Sequence, residues 1–156
     1  MQVFICYAEP IKVAQAMWAD QKRYNKAIIE LKQIIAAIEG AKAWRNHPVC
    51  LMYKEHKKWL ELYLSCFECY RNYKKSKEET HEKEMWGKET ELRNTEAMFY
   101  SPDFLENQEL LDRHKSRLYT KSPNLYPQFA EYGTSEENWY VIDGQIVKYV
   151  NGKRVN

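Results

Sequence analysis

The acidic side chain of Glu30 stands among basic ones in the stretch DQKRYNKAIIELKQ, residues 20–33. At 100° per residue, four polar side chains of a helix would share one face within about 80°: Arg23, Lys26, Glu30 and Gln33. A carboxylate in such a stripe suits two roles. It could form an ordinary surface ion pair with Lys26, which contributes a few tenths of a kcal/mol. It could instead be the working acid of a site that binds an anionic substrate, with Lys22 close by.

Two further stretches combine residues that contact phosphates or bases. WRNHP, residues 44–48, places Arg45, Asn46 and His47 on a loop that proline stiffens, and such loops suit contacts to nucleic acid. The alternative is a packed interhelical loop in which His47 caps a helix. RHKSRLYTK, residues 113–121, is either a ladder of phosphate contacts or a solvated helix face. Its candidate phosphate contacts are His114, Lys115, Arg117 and Lys121.

The net charge of +2 is unevenly distributed along the 156 residues. Residues 1–75 carry 13 basic and 7 acidic side chains, residues 76–112 carry 4 and 11, and residues 113–156 carry 7 and 4. Two basic blocks therefore flank an acidic one. A basic face for a polyanion would give this count, and so would ordinary solvated charge on helices.

The pattern of apolar residues predicts a mainly α-helical, compact single domain over residues 1–156, with three principal helices. The helices are expected at 10–39, with a possible break near Asp20, at 49–73, and from the Ser101–Pro102 cap to about residue 121. Residues 2–7 read as a buried extended segment. Residues 74–98 are a charged insertion, either a solvated helix or a mobile segment.

Residues 136–156 have the pattern of a small β-structure. Asp143-Gly144 and Asn151-Gly152 are strong turn pairs between alternating strands, so residues 136–156 should form a hairpin or a three-stranded meander.

Other features argue against several classes of protein. The N-terminus lacks the basic and long apolar regions of a secretory signal, and no apolar run reaches the length of a membrane span. Cys66 and Cys69 form a CxxC, but it lies in a helical pattern without a second ligand pair, so we expect plain helix residues and no metal site. We therefore expect a cytoplasmic protein with reduced thiols.

Taken together, several blocks of the sequence resemble the small pyrimidine-dimer DNA glycosylases, the family of the phage dimer-specific endonuclease V. The blocks are DQKRYNKAIIELKQI, WRNHPVCLMYKEHKKWLELY, RNYK and LLDRHKSRLYTKSPNLYPQF. The resemblance covers residues 1–73 and 100–130. It does not include the charged insertion or the C-terminal strands.

The resemblance implies a DNA repair glycosylase with AP lyase activity, whose nucleophile is the α-amine of the chain. Peptide α-amines have a reference pKa of about 7.7–8.0, so a usable fraction is neutral near pH 7. Glu30 occupies the position of the family's catalytic carboxylate. Arg23 and Lys26 would hold phosphates beside the lesion. No cofactor is implied, and the expected partner is damaged double-stranded DNA, bound by a monomer.

Two positions depart from the family's pattern. Gln2 is too large for the usual removal of the initiator, so the candidate nucleophile is the amine of Met1. Ile28 stands where the family often has arginine. Two alternatives stay open at this point: a non-catalytic DNA-binding or decoy protein with the same fold, and a protein-interaction domain whose basic stripes are solvated.

Overall fold

The helices and strands follow one another along the chain in a mainly helical arrangement that ends in a small sheet, as predicted. A computed structural model describes residues 1–76 and 80–156. The six α-helices of these residues are α1 (Pro10–Met17), α2 (Gln21–Ile38), α3 (Pro48–Tyr53), α4 (Lys57–Lys75), α5 (Thr80–Phe99) and α6 (Gln108–Lys121). Two 3-10 turns occupy Asp103–Glu106 and Pro127–Tyr132, and the strands are β1 (Asn138–Ile142), β2 (Gln145–Val150) and β3 (Lys153–Val155).

The N-terminal segment runs through the core, and its backbone is bonded to side chains. Residues 3–6 are at most 6% exposed. The Tyr63 hydroxyl donates to the Phe4 carbonyl at 2.6 Å, and the Ile5 N–H donates to Nδ1 of His114 at 3.0 Å. Buried backbone groups need such partners where no sheet supplies them. The predicted burial of this segment is confirmed, and the position of the first residue is fixed from within the core.

Polar side chains cap the starts of helices α2 and α6. The Asp20 carboxylate accepts from the Arg23 N–H at 3.2 Å and starts α2, which confirms the predicted break near Asp20. The predicted helix over 49–73 is interrupted between α3 and α4. The third helix was expected to start at the Ser101–Pro102 cap, and that prediction is wrong. It starts at Gln108, because the Asn107 side chain accepts from the Leu110 N–H at 3.1 Å.

Most of the predicted insertion forms helix α5, while residues 77–79 lie outside the described part of the chain. Gly87 faces the ring of Tyr73 on α4, so the two helices pack closely there. The Asn94 side chain accepts from the Ile11 N–H at 3.0 Å and joins α5 to the start of α1. Of the two alternatives for this segment, the described residues form a helix. A fourth long helix therefore joins the predicted three.

The C-terminal strands form the predicted antiparallel meander, in the order β1-β2-β3. Asp143 and Asn151 have φ of 51° and the glycines after them have φ of 76°, which is the type I′ geometry that favours such pairs. Trp139 and Tyr140 are buried, and the Arg113 guanidinium lies 4.7 Å from the centre of the Trp139 ring. The sheet is thus packed into the core against α6.

The cysteines are free and buried. Burial raises the pKa of the Cys66 thiol to about 12 and that of Cys69 above its usual value, so both are protonated thiols near pH 7. Within residues 1–76 and 80–156, no helix is both long and apolar enough to cross a membrane. In the same residues, no group of three His, Cys, Asp or Glu side chains could hold a metal ion.

His114 should make the stability of the protein sensitive to acid. Burial, followed by the charge of Arg117, lowers its pKa to about 4 from the 6.5 of an exposed histidine. The unfolded chain therefore binds more protons between pH 6.5 and 4, and the free energy of unfolding should fall by up to about 3 kcal/mol as the pH drops through that window. Urea unfolding at a series of pH values measures this slope.

The matched variants for this experiment are His114→Asn and His81→Asn. An asparagine oxygen can replace Nδ1 as the acceptor for Ile5 but does not titrate, so His114→Asn should flatten the slope. His81 is exposed on α5, and its replacement should leave the slope unchanged. Equal slopes for wild type and His114→Asn would contradict the assignment.

Candidate active site

An open cleft of about 300 Å³ lies between the N-terminal segment, α2, the start of α3, α6 and the sheet. Its charged lining consists of one carboxylate, the α-amine of the chain and four basic side chains. These residues are Met1, Arg23, Lys26, Glu30, Arg117 and Lys121. The cleft thus has a strong excess of positive charge around a single acid.

The α-amine and the carboxylate face each other at the inner end of the cleft. The Met1 nitrogen lies 4.0 Å from Oε1 of Glu30, whose side chain is 16% exposed. A direct hydrogen bond needs about 2.7–3.2 Å, so one water or a small shift would connect the two groups. Lys26 Nζ also lies 3.6 Å from the same oxygen. The isolated acid in the basic stripe of α2 therefore faces the first residue of the chain as well as Lys26.

The sheet helps to hold the first residue in place. The Tyr140 hydroxyl donates to the Met1 carbonyl at 3.4 Å. Tyr140 lies on β1, and its ring contacts those of His47 and Tyr149. Together with the Tyr63 and His114 bonds to residues 4 and 5, this contact leaves the α-amine little freedom to move.

His47 closes the cleft at the start of α3. Its Nδ1 accepts from the Val49 N–H at 3.2 Å and caps the helix, as the alternative interpretation expected of His47, but residues 44–46 of the loop are exposed rather than packed. Burial and the positive charge of the nearby α-amine lower its pKa, which makes the neutral ring the dominant form near pH 7. The bond at Nδ1 then leaves the ring proton on Nε2.

The cations of the cleft repel one another. Burial lowers the pKa of Lys121, and the positive charges of Arg117, Arg23 and Lys26 lower it further. An anion bound between these side chains would relieve that repulsion.

Arg117 and Arg23 are also fixed in position by hydrogen bonds. The buried Arg117 donates to the Asn138 side chain at 3.0 Å and to the Ser135 carbonyl at 2.8 Å. The Asp20 carboxylate holds Arg23 Nε at 2.9 Å. These two cationic side chains are therefore held in position by the surrounding chain.

Not every predicted DNA contact reaches this cleft. Lys22 and Gln33 are exposed on α2 outside the lining, and Arg45 and Asn46 are exposed on the loop before His47. A role for these four side chains in DNA binding stays a prediction.

His114 and Lys115 are buried away from the cleft. His114 is 1% exposed and bonds the N-terminal segment, while Lys115 Nζ pairs with Asp112 at 3.0 Å and lies over the Tyr132 ring. DNA could reach neither side chain without disturbing the core.

Four polar lining residues were missed by the sequence analysis: Gln2, Asn138, Tyr140 and Tyr149. The last three lie on strands outside the stretches that carried the resemblance, so nothing linked them to the amine. The alternation in NWYVIDGQIVKYV does place Asn138 and Tyr140 on one face of β1, which was the available signal. The buried amide nitrogen of Gln2 has no hydrogen-bond partner.

The described residues thus form a mainly helical fold in which an α-amine, a carboxylate and four cationic side chains line one cleft. Comparison with models of known protein families identifies the class of protein: the model for pyrimidine dimer DNA glycosylase matches residues 1–78. The chain therefore belongs to this family of DNA glycosylases. Searches of curated proteins and of solved structures gave no significant match. The matched half contains Met1 and Glu30, whereas Arg117, Lys121 and the sheet lie beyond it.

Proposed function

We propose that this protein is a DNA glycosylase with AP lyase activity on pyrimidine dimers or a related damaged base, and that the α-amine of Met1 is its nucleophile. Membership of the family supports a DNA substrate. The observation that carries the proposal is the α-amine held 4.0 Å from Glu30 at the inner end of a cationic cleft. If Glu30 formed only a solvated ion pair with Lys26, nothing would require the chain terminus to be buried beside it.

In the proposed reaction the neutral amine attacks C1′ of the damaged nucleotide. The glycosidic bond breaks, and its electron pair leaves with the base, which takes up a proton. Loss of a proton from the nitrogen and protonation of O4′ then open the sugar ring and leave an imine between Met1 and C1′. Removal of a proton from C2′ breaks the C3′–O3′ bond, and water finally hydrolyses the imine to restore the amine.

Glu30 has two roles in this scheme. As a carboxylate it stabilises the positive charge that develops on the sugar, and it carries protons between the nitrogen and O4′. The 4.0 Å separation places the carboxylate close enough to act on the nitrogen and on a sugar bound to it after a small shift. Amine and carboxylate thus supply the covalent and proton-transfer chemistry together.

The cations would hold the phosphates that flank the damaged nucleotide. Replacing Lys121 by alanine should weaken DNA binding and reduce the slope of log K against log salt by about 1, because one phosphate contact is lost. Affinity measured on a dimer-containing duplex at several salt concentrations tests this. Lys32→Ala is the charge-matched control, since Lys32 is exposed and pairs with Glu68 outside the cleft. Equal slopes for the two variants would place the DNA elsewhere.

A further inference from the structure

Helix α5 carries large apolar side chains on its solvent side. Met85, Leu92 and Phe99 are 59%, 66% and 82% exposed, and they recur at every seventh residue. At 100° per residue this spacing keeps the three within about 40° of one another, so they form one row, called the outer stripe below. The ring of Tyr100, 46% exposed, lies 5.0 Å from that of Phe99 and extends the row. Apolar side chains that line up on a surface in this way mark sites of interaction.

The outer stripe lies opposite the face by which α5 packs on the protein. Thr90 and Ala97 are buried, and Gly87 faces the Tyr73 ring of α4. On the helix, these three positions of α5 are about 140–160° away from Leu92. The inner face is covered by α4 and α1, while the outer stripe meets solvent. A helix with apolar residues on opposite faces is suited to packing between two neighbours.

The outer stripe is separate from the cleft. The cleft is lined by the N-terminal segment, α2, α3, α6 and the sheet, whereas α5 packs against α4 and α1. The whole of α5 also lies beyond residues 1–78, which the family model matches. A role for the outer stripe therefore goes beyond the proposed function and does not depend on it.

Acidic side chains flank the outer stripe. Exposed glutamates lie on both sides of it: Glu84, Glu89, Glu91 and Glu96. The neighbouring cations are Lys88 and Arg93, and Arg93 already pairs with Glu96 at 3.6 Å. If the stripe is numbered as the a positions of a heptad, the glutamates occupy the e and g positions, where charge selects the partner of a helix. Acids on both sides repel DNA and a second copy of α5, and they attract a helix with lysine or arginine at those positions.

We propose that the outer stripe of α5 binds a basic amphipathic helix of a partner protein. The apolar side chains of the partner would cover Met85, Leu92 and Phe99, while its lysines or arginines meet the flanking glutamates. The d positions of α5 are the polar Lys88 and Thr95, so the stripe is a single apolar row and not the double row of a full coiled coil. We therefore expect a weak, reversible contact, as in other small transient interfaces.

Two synthetic helical peptides test the proposal. Each has three heptads with leucine at a and d, and one carries lysine at every e and g position where the other carries glutamate. Fluorescence anisotropy of the labelled peptides measures their binding to the full chain. We expect the lysine peptide to bind at least about 10-fold more tightly than the glutamate peptide, because the glutamates of α5 attract the first and repel the second. Its affinity should fall as the salt concentration rises.

Matched variants show where the lysine peptide binds. Leu92→Ser removes the central side chain of the outer stripe and should weaken binding about 10-fold or more, the usual effect of losing a leucine that a partner buries. Ile29→Ser is the control, since Ile29 is 58% exposed on α2, and it should leave binding unchanged. Glu84→Lys combined with Glu91→Lys reverses the charge of one flank, so it should weaken binding of the lysine peptide and strengthen binding of the glutamate peptide. Thermal melting confirms that each variant is folded.

Light scattering separates a partner helix from a second copy of the chain as the occupant. The acidic flanks predict that the wild type is a monomer, and a dimer that Leu92→Ser dissociates would assign the outer stripe to self-association and overturn the proposal. The proposal is also overturned if the wild type does not bind the lysine peptide, or if Leu92→Ser binds it as tightly as the wild type does. None of these measurements uses damaged DNA or strand cleavage, so their outcome is independent of the glycosylase proposal.

Discussion

The Glu30→Gln variant is expected to cleave a dimer-containing strand about 10²- to 10⁴-fold more slowly than the wild type, which is the usual effect of losing a general acid–base group. Glutamine has nearly the same shape, but it can neither carry a proton nor balance positive charge on the sugar. Strand cleavage under single-turnover conditions measures the effect on the chemical steps.

DNA affinity separates a chemical effect from a binding effect in this variant. Glu30 is the only acid among the described residues that line the cleft, and its removal makes the site more positive. Glu30→Gln should therefore bind DNA as tightly as wild type or a few-fold more tightly. Glu39→Gln changes the charge equally on the same stretch of chain, at an exposed residue that pairs with Lys57. Equal cleavage rates for wild type, Glu30→Gln and Glu39→Gln would remove Glu30 from the mechanism.

Adding two residues, Gly-Ser, before Met1 should abolish strand cleavage by at least about 10³-fold. One residue spans about 3.3–3.6 Å of extended chain, so the new amine would lie well beyond its 4.0 Å position beside Glu30, and the Met1 nitrogen would become an amide without a nucleophilic lone pair. Cleavage and DNA affinity measured side by side check this result. The cations that bind phosphate are untouched, so affinity should change only a few-fold.

The same two residues added after Asn156 are the matched control, because that end of the chain is exposed and outside the cleft lining. Full cleavage activity in the N-terminally extended protein would show that a side chain, and not the α-amine, is the nucleophile. Lys26 would then be the first candidate, since its Nζ lies 3.6 Å from Glu30.

Much of the fold follows from local patterns in the sequence. The period of the apolar residues predicts α2 and α4, Asp20 predicts the break before α2, and the two turn pairs predict the meander. These features depend on residues that are close together in the chain, so the sequence alone is enough to predict them. The start of α6 was misplaced because Ser101-Pro102 and Asn107 are both good caps, and the choice between them depends on packing of the Asp103–Glu106 turn.

The candidate site also has a part that local spacing predicts and a part that depends on contacts between distant residues. Arg23, Lys26 and Glu30 share a helix face and could be grouped by spacing alone. Their meeting with Met1 depends on a buried N-terminal segment held by Tyr63 and His114, contacts that span 59 and 109 positions of the chain. No local pattern predicts such contacts, and the resemblance supplied the link between the amine and the acid instead.

The basic stretch on α6 shows the limit of charge patterns most clearly. His114, Lys115 and Arg117 lie within one turn of a helix that sequence alone would place on the surface. The helix is covered by the N-terminal segment, the 3-10 turn at Pro127–Tyr132 and the sheet, so its polar side chains became internal partners. Arg117 and Lys121 reach the cleft because the helix passes along its edge.

The most direct test of the account is borohydride trapping on a duplex with one cyclobutane thymine dimer, beside an abasic duplex, followed by peptide mapping of the adduct. We predict a covalent adduct with both duplexes, located on the α-amine of residue 1 and absent from Glu30→Gln. An adduct on a lysine side chain, or none on either duplex from folded protein with an intact N-terminus, would contradict the amine mechanism and favour a protein of this fold that binds DNA without cutting it.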